Sequence, residues 1–319
     1  MEKRMLGRSG LSTAPLIFGG NVLGWTADEP TSFKLLDAFV EAGFNAIDTA
    51  DVYSRWVPGH TGGESETIIG NWLRRRGKRN DVLILTKVGS AKGADGKGLS
   101  KATITAAAEN SLKRLGTDVI DLYQAHQDNQ ETPLEETLGA FATLIHQGKV
   151  RAIGASNYTA PRLKQALDTS TRLGLPRYET LQPQYNLLER QIYEEALELL
   201  CQAEGLGVIN YYPLASGFLT GKYRSEADLS KSARGEGVRK YLEARGRQIL
   251  NALDTVSARH RATPAQVAVA WLMAQPSITA PIVSATSEAQ LAETLKAVKV
   301  KLSREDIELL DQASAWKSS

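Results

Sequence analysis

The 319-residue sequence is poor in the residues that announce a special environment. It has one cysteine, Cys201, so neither an internal disulfide nor a cysteine-paired zinc site can form. Cys201 lies in EEALELLCQAEG, where it reads as a helix-core residue rather than a catalytic thiol. A chain that uses cysteine this way is expected in the cytoplasm. The four histidines are far apart and form no H-E-x-x-H pair, so no metal is expected. No run approaches the roughly 18 apolar residues of a membrane span, and the opening MEKRMLGRSG lacks the apolar stretch of a signal peptide. The net charge is only +2, which gives no electrostatic reason to expect nucleic acid or an anionic membrane as partner. A G-x-G-x-x-G turn after an early strand is also missing. The glycine-rich GSAKGADGKG (89–98) has the wrong order, which argues against a doubly wound dinucleotide fold.

What is present is ordinary in bulk and specific in order. Hydrophobic residues make up 42% and charged residues 23%, as in a soluble globular protein large enough to bury a sizeable core. After an N-terminal segment that reads as a hairpin across a barrel bottom, short apolar runs alternate with amphipathic stretches. The runs are LIFGG, NAIDTA, DVLILTK, VIDLYQAH, VRAIGASN, ETLQPQYN, GVINYYPLASG and ITAPIVSATS. Glycines 43, 116, 148 and 205 close several of the intervening helices. Eight strand–helix units at intervals of roughly 30 residues predict a (β/α)₈ TIM barrel, one domain over 1–319. The charged stretch 224–240 is too long for a simple connector, and reads either as a solvated excursion or as a flap over the barrel mouth.

A barrel of this kind keeps its chemistry at the C-terminal ends of its strands. Those ends carry Asp48, Thr49, Asp51 and Tyr53 after the second strand, Lys87 after the third, and His126 and Gln127 after the fourth. Ser156 and Asn157 follow the fifth strand, Gln182, Gln184, Tyr185 and Asn186 the sixth, and Tyr211 and Tyr212 the seventh. Asp48 and Lys87 each end an apolar strand and need a partner there, which makes them a candidate buried pair. A free phenol, with a pKa near ~10, is too weak an acid at neutral pH unless a cation stabilises its phenolate. Lys87 beside Tyr53 would supply that cation. Lys87 could equally serve as a Schiff-base nucleophile, a reading that a single lysine leaves open.

The ordered motifs LGRSGLSTAPLIFGG, FNAIDTADVYS, GESETIIGNWL, LILTKVG, DVIDLYQAH, GKVRAIGASNY, LQPQYNLLER, YYPLASGFLTGKY and PIVSATSEAQLAE resemble the aldo-keto reductases over essentially the whole chain. The likeness extends to the branch that includes the potassium-channel β subunits. The resemblance implies an NADPH-dependent reductase of aldehydes or ketones, reversible as an alcohol dehydrogenase, and working as a monomer or weak homo-oligomer. It implies a catalytic tetrad of Asp48, Tyr53, Lys87 and His126, with Tyr53 as proton donor, Lys87 and Asp48 lowering its pKa, and His126 orienting the carbonyl. Carried over in the same way, Ser156, Asn157, Gln182 and Tyr211 would hold the nicotinamide. Tyr212, Pro213, Leu214, Ala215, Ser216, Lys222 and Arg234 would run along the pyrophosphate, and Ser284, Thr286, Gln290 and Glu293 would meet the adenosine end. Many relatives carry Lys and Arg where this chain has Ser284 and Gln290, so NADH is a further candidate cofactor. The segment SRWVPGHTGG (54–63) is longer than the usual turn and brings Trp56 towards Tyr53. Trp56 and Trp25 are the candidate walls of a substrate pocket. A redox-sensing or regulatory subunit with slow turnover is the alternative reading.

Overall fold

The eight expected apolar runs all form strands in a computed structural model, which describes residues 1–90, 98–232 and 235–316. The N-terminal hairpin pairs β1 (Arg4–Met5) with β2 (Ser12–Thr13). Parallel strands β3 (Ile17–Gly19), β4 (Ala46–Asp48), β5 (Leu83–Val88), β6 (Ile120–Ala125), β7 (Val150–Ser156), β8 (Tyr178–Gln182), β9 (Gly207–Val208) and β10 (Ile282–Val283) then form one sheet in the order β10-β3-β4-β5-β6-β7-β8-β9. The seam closes through backbone bonds, from Thr279 N–H to the Val208 carbonyl (2.8 Å) and from Ile282 N–H to the Asn210 carbonyl (2.9 Å). The architecture is a (β/α)₈ barrel.

Helices α1 (Glu29–Glu41), α2 (Glu64–Arg76), α3 (Lys101–Leu115), α4 (Leu134–His146) and α5 (Ala160–Leu173) surround the first half of the ring. Their ends follow local chemistry. Asp28 accepts from Thr31 N–H at the start of α1, and Thr159 caps α5, with Pro161 in its first turn. Gly116 stops α3 in the left-handed conformation that glycine adopts without a Cβ clash. Gly205 does the same for α6 (Glu198–Glu204), which a π-helical turn (Tyr193–Leu197) precedes. The stripe Ile68, Ile69, Trp72 and Leu73 on α2 is buried against the barrel, as its spacing predicts.

The long interval before β10 holds two helices that the strand–helix rhythm did not separate, α7 (Ala244–His260) and α8 (Pro264–Ala274). Helix α9 (Glu288–Leu295) follows β10, and α10 (Arg304–Ala313) packs on α7. In its described residues the 224–240 stretch is largely exposed but pinned to the barrel. Leu229 and Val238 are buried, Arg224 pairs with Asp254 of α7 (2.7 Å), and Lys240 and Tyr241 both reach the Glu189 carboxylate.

Inside the ring the side chains alternate by strand position. Ile17, Ala46, Leu85, Leu122, Ala152 and Ile209 form an inward apolar layer, which Leu6 and Leu11 of the hairpin cover. The hairpin is therefore a plug at the barrel bottom. Two residues further along β4, β5 and β6 the inward positions are Asp48, Lys87 and Gln124, the floor of the mouth. Among the described residues no helix is long and apolar enough to cross a membrane.

Candidate active site

The floor of the mouth is polar and closed to solvent. Lys87 is fully buried, and its ammonium donates to Asp48 Oδ2 (2.6 Å), the Thr49 carbonyl (2.8 Å) and the Tyr53 hydroxyl (2.8 Å). An ammonium has three protons, and all three are spent. The other Asp48 oxygen accepts from Gln182 Nε2 (2.9 Å) and Gln124 Nε2 (3.2 Å). Gln182 Nε2 also donates to Gln124 Oε1 (3.0 Å), so the network is closed. Such a buried charge pair stands only because each partner is hydrogen-bonded elsewhere.

Burial works against the Lys87 charge, but Asp48 and Tyr53 together outweigh it and leave the pKa above that of an ordinary lysine. For Tyr53 the expected downward shift does not occur. Burial raises its pKa, Lys87 offsets only part of this, and the Asp48 charge adds to the rise. The phenol is thus held protonated while its oxygen accepts from Lys87, and its own proton remains to be given.

His126 stands beside Tyr53, ring centroids 6.1 Å apart. Its Nδ1 is buried with no protein partner. Burial first, and the Lys87 charge second, press its pKa down to about 3, so the imidazole is neutral. Trp56 meets Tyr53 edge-on (6.0 Å) and Trp25 does the same to Trp56 (5.6 Å), although Trp56 remains 48% exposed. His60 is half-buried, with its Nδ1 closed to solvent. With Trp25, Glu64 and Thr286 it lines a cleft of about 800 Å³. His260, far from this cleft in sequence, is bonded to Asp306 (2.7 Å).

The residues expected to hold a nicotinamide form a second network. Ser156 Oγ donates to the Gln182 carbonyl (2.8 Å), Asn157 Nδ2 donates to the His126 carbonyl (2.9 Å), and Tyr211 OH donates to Asn157 Oδ1 (2.8 Å). Asn157 is left-handed (φ 58°), a conformation asparagine tolerates better than most residues. Beyond Tyr211 the chain turns through left-handed Tyr212, Ala215, Ser216 and Gly217. A Cβ on Gly217 would lie 3.3 Å from Lys222 Nζ, so a cation flanks this turn. Pro213 is buried within the turn and Leu214 is half-buried. Tyr212 is 46% exposed, open to a flat ligand. Left-handed backbone beside a lysine suits a pyrophosphate. Arg234 lies outside the described residues.

At the other end Ser284 is turned inwards, its hydroxyl 2.8 Å from the Gly19 carbonyl and 2.7 Å from Asn21 Oδ1. Gln290 and Glu293 are exposed. Gln290 Oε1 accepts from Thr286 N–H (3.0 Å) and Thr286 Oγ1 (2.9 Å), so its amide nitrogen is the group it can offer a ligand. Tyr185, grouped with the mouth by sequence, points into the core and donates to Glu194 (2.7 Å). Gln124 was missed, although the alternation through Leu122 puts it on the Lys87 face and the register pairs the two.

A family model for the aldo/keto reductase family matches residues 15–315. The chain belongs to this family. It is 36% identical to an uncharacterized oxidoreductase (YrpG) of Bacillus subtilis, an alignment covering 98% of this chain and 95% of the relative. It is 33% identical to a protein of Oryza sativa described as a probable voltage-gated potassium channel subunit beta, covering 94% and 92%. It is also 33% identical to the aldo-keto reductase str7 of Strobilurus tenacellus, covering 89% and 81%. The family carries out NAD(P)H-dependent oxidoreduction of carbonyl compounds.

Proposed function

We propose that this aldo-keto reductase reduces an aldehyde or ketone with NADPH in the cytoplasm, Tyr53 giving the proton. The observation that carries the reading is the complete engagement of Lys87. With its three protons committed and its charge held by Asp48, Lys87 is a poor Schiff-base nucleophile, which argues against a lyase. It serves instead as the fixed positive charge behind the Tyr53 oxygen as that oxygen loses its proton.

A bound nicotinamide supplies the hydride to the carbonyl carbon, and the chain's own groups do the rest. Tyr53 donates its proton to the carbonyl oxygen, and neutral His126 steadies that oxygen from the neighbouring strand end. Ser156, Asn157, Gln182 and Tyr211 would hold the nicotinamide, Tyr212–Ser216, Lys222 and Arg234 the pyrophosphate, and Thr286, Gln290 and Glu293 the adenosine end. Ser284 supports that end from behind, through Gly19 and Asn21. Trp25 and Trp56 wall the substrate pocket as a rigid aromatic pair. A regulatory subunit could keep the same tetrad, so turnover is what separates the two readings.

The test is a titration of nicotinamide fluorescence with NADPH and NADH, followed by a panel of aldehydes, ketones and alcohols read at 340 nm. Tight NADPH binding with turnover of at least one carbonyl class is expected. Binding without turnover across the panel would favour the regulatory subunit.

A further inference from the structure

Two buried polar atoms beside the tetrad have no protein partner, Asp51 Oδ1 and the Tyr123 hydroxyl. Both lie on the helix side of the barrel wall. Tyr123 projects outwards from β6, between inward-facing Leu122 and Gln124, and packs edge-on against Phe141 of α4. Asp51 belongs to the short turn that carries Tyr53. Its N–H donates to the Lys87 carbonyl (3.3 Å), and the Tyr53 N–H donates to the Ala50 carbonyl (3.2 Å). A change at Asp51 is therefore felt at Tyr53 through two backbone bonds.

The charges around Asp51 are already committed. Glu66 of α2 is fully buried and accepts from Thr86 Oγ1 (2.6 Å) and Arg114 Nε (2.7 Å). Arg114 of α3 is thus paired with Glu66 and also donates to Ser111, while Lys87 of β5 is spent on Asp48, Thr49 and Tyr53. Tyr123 faces the same wedge from β6, and the Val52 N–H is the remaining donor to Asp51. Asp51 is half-buried with Oδ1 closed to solvent, so an ionised carboxylate here would be partly desolvated beside a second acid, its Oδ1 left without a hydrogen bond.

We propose that Asp51 is a positioning residue for Tyr53: neutral when the Ala50–Tyr53 turn is docked on Lys87, and disruptive of that docking when it ionises. The proposal rests on Tyr53 being the proton donor. Burial, reinforced by Glu66 and opposed by Arg114 and Lys87, pushes the Asp51 pKa up to about 7. The switch then falls in the working range of an intracellular enzyme. For a group titrating there, the neutral fraction drops about tenfold between pH 6 and pH 8. Turnover that needs the neutral form drops with it.

The experiment compares the full-length wild type with Asp51→Asn in two measurements. One is kcat for 4-nitrobenzaldehyde with NADPH at pH 6 and pH 8. The other is hydrogen–deuterium exchange of residues 49–63 without cofactor or substrate, corrected for the intrinsic pH dependence of exchange. In the wild type, kcat should fall about tenfold towards pH 8 and the segment should exchange faster there. In Asp51→Asn both pH steps should disappear. Wild-type exchange that is the same at both pH values would overturn the proposal, as would an unaltered pH step in the variant. If neither protein turns over the aldehyde, the reductase reading fails for that probe, and the exchange comparison alone decides Asp51.

Discussion

Lys87 and Gln124 stand opposite each other in the β5–β6 register and hold the two oxygens of Asp48 separately, Lys87 at Oδ2 and Gln124 at Oδ1. The carboxylate cannot turn without losing a donor on one side. Its charge is fixed in direction as well as in place, and it fixes the ammonium that faces Tyr53.

Lys87→Met should damage both stability and activity. Removing one partner of a buried pair leaves an uncompensated charge and typically costs ~3–5 kcal/mol. Denaturant unfolding should show a loss of that order, and adding Asp48→Asn should restore part of it. A variant as stable as the wild type would mean that water reaches the site.

Tyr53→Phe should leave stability and NADPH binding nearly intact, because the lost hydroxyl frees only one of the three Lys87 protons. Proton donation is worth ~10²–10⁴-fold, so carbonyl reduction should fall by at least two orders of magnitude. Single-turnover rates at 340 nm measure this directly, and near-normal rates would remove Tyr53 from its role.

His126 titrates far below its usual range, so it should produce no acid limb in the rate profile between pH 5 and 7. Its linkage to stability has a definite sign. The unfolded imidazole takes up a proton near ~6.5 while the folded one does not until about 3, so stability is lost as the pH falls through that window. His126→Gln should flatten the acid side of a plot of melting temperature against pH. An equally steep decline in the variant would mean that the imidazole is solvated.

Gln290→Arg should raise the preference for NADPH over NADH. A charge-assisted contact contributes ~1.5–3 kcal/mol, on the order of tenfold or more in relative affinity. It would form where Gln290 now holds Thr286. Equal affinities for both cofactors, unchanged by the substitution, would place the adenosine phosphate elsewhere.

The barrel was legible because its strands are short apolar runs that end in polar residues, and Asp48, Lys87 and His126 interrupt those runs where a strand reaches the mouth. Gln124 escaped because attention to strand ends passes over a polar residue one step inside. Glu66 sits in ESETIIGNWL like an ordinary charge on a helix surface, and only Thr86 and Arg114, distant in sequence, make it a buried one. Helices α7, α8 and α10 lie where the strand–helix rhythm lapses, and no periodic signal marked their order. The orphaned oxygen of Asp51 is a property of packing among α2, α3, β5 and β6, which no local pattern encodes.

The seam between β9 and β10 also has a consequence for synthesis. Arg4 hydrogen-bonds the carbonyls of Met273, Ile278 and Thr279, which follow it by 269 to 275 residues in the chain. Contacts across so much chain are the slowest kind to form, since loop closure must come before any gain. A nascent chain that stops short of Ile282 exposes the open edges of β3 and β9, and unpaired edges recruit other chains. Ring closure makes the last strand the one that protects all the others from aggregation during translation.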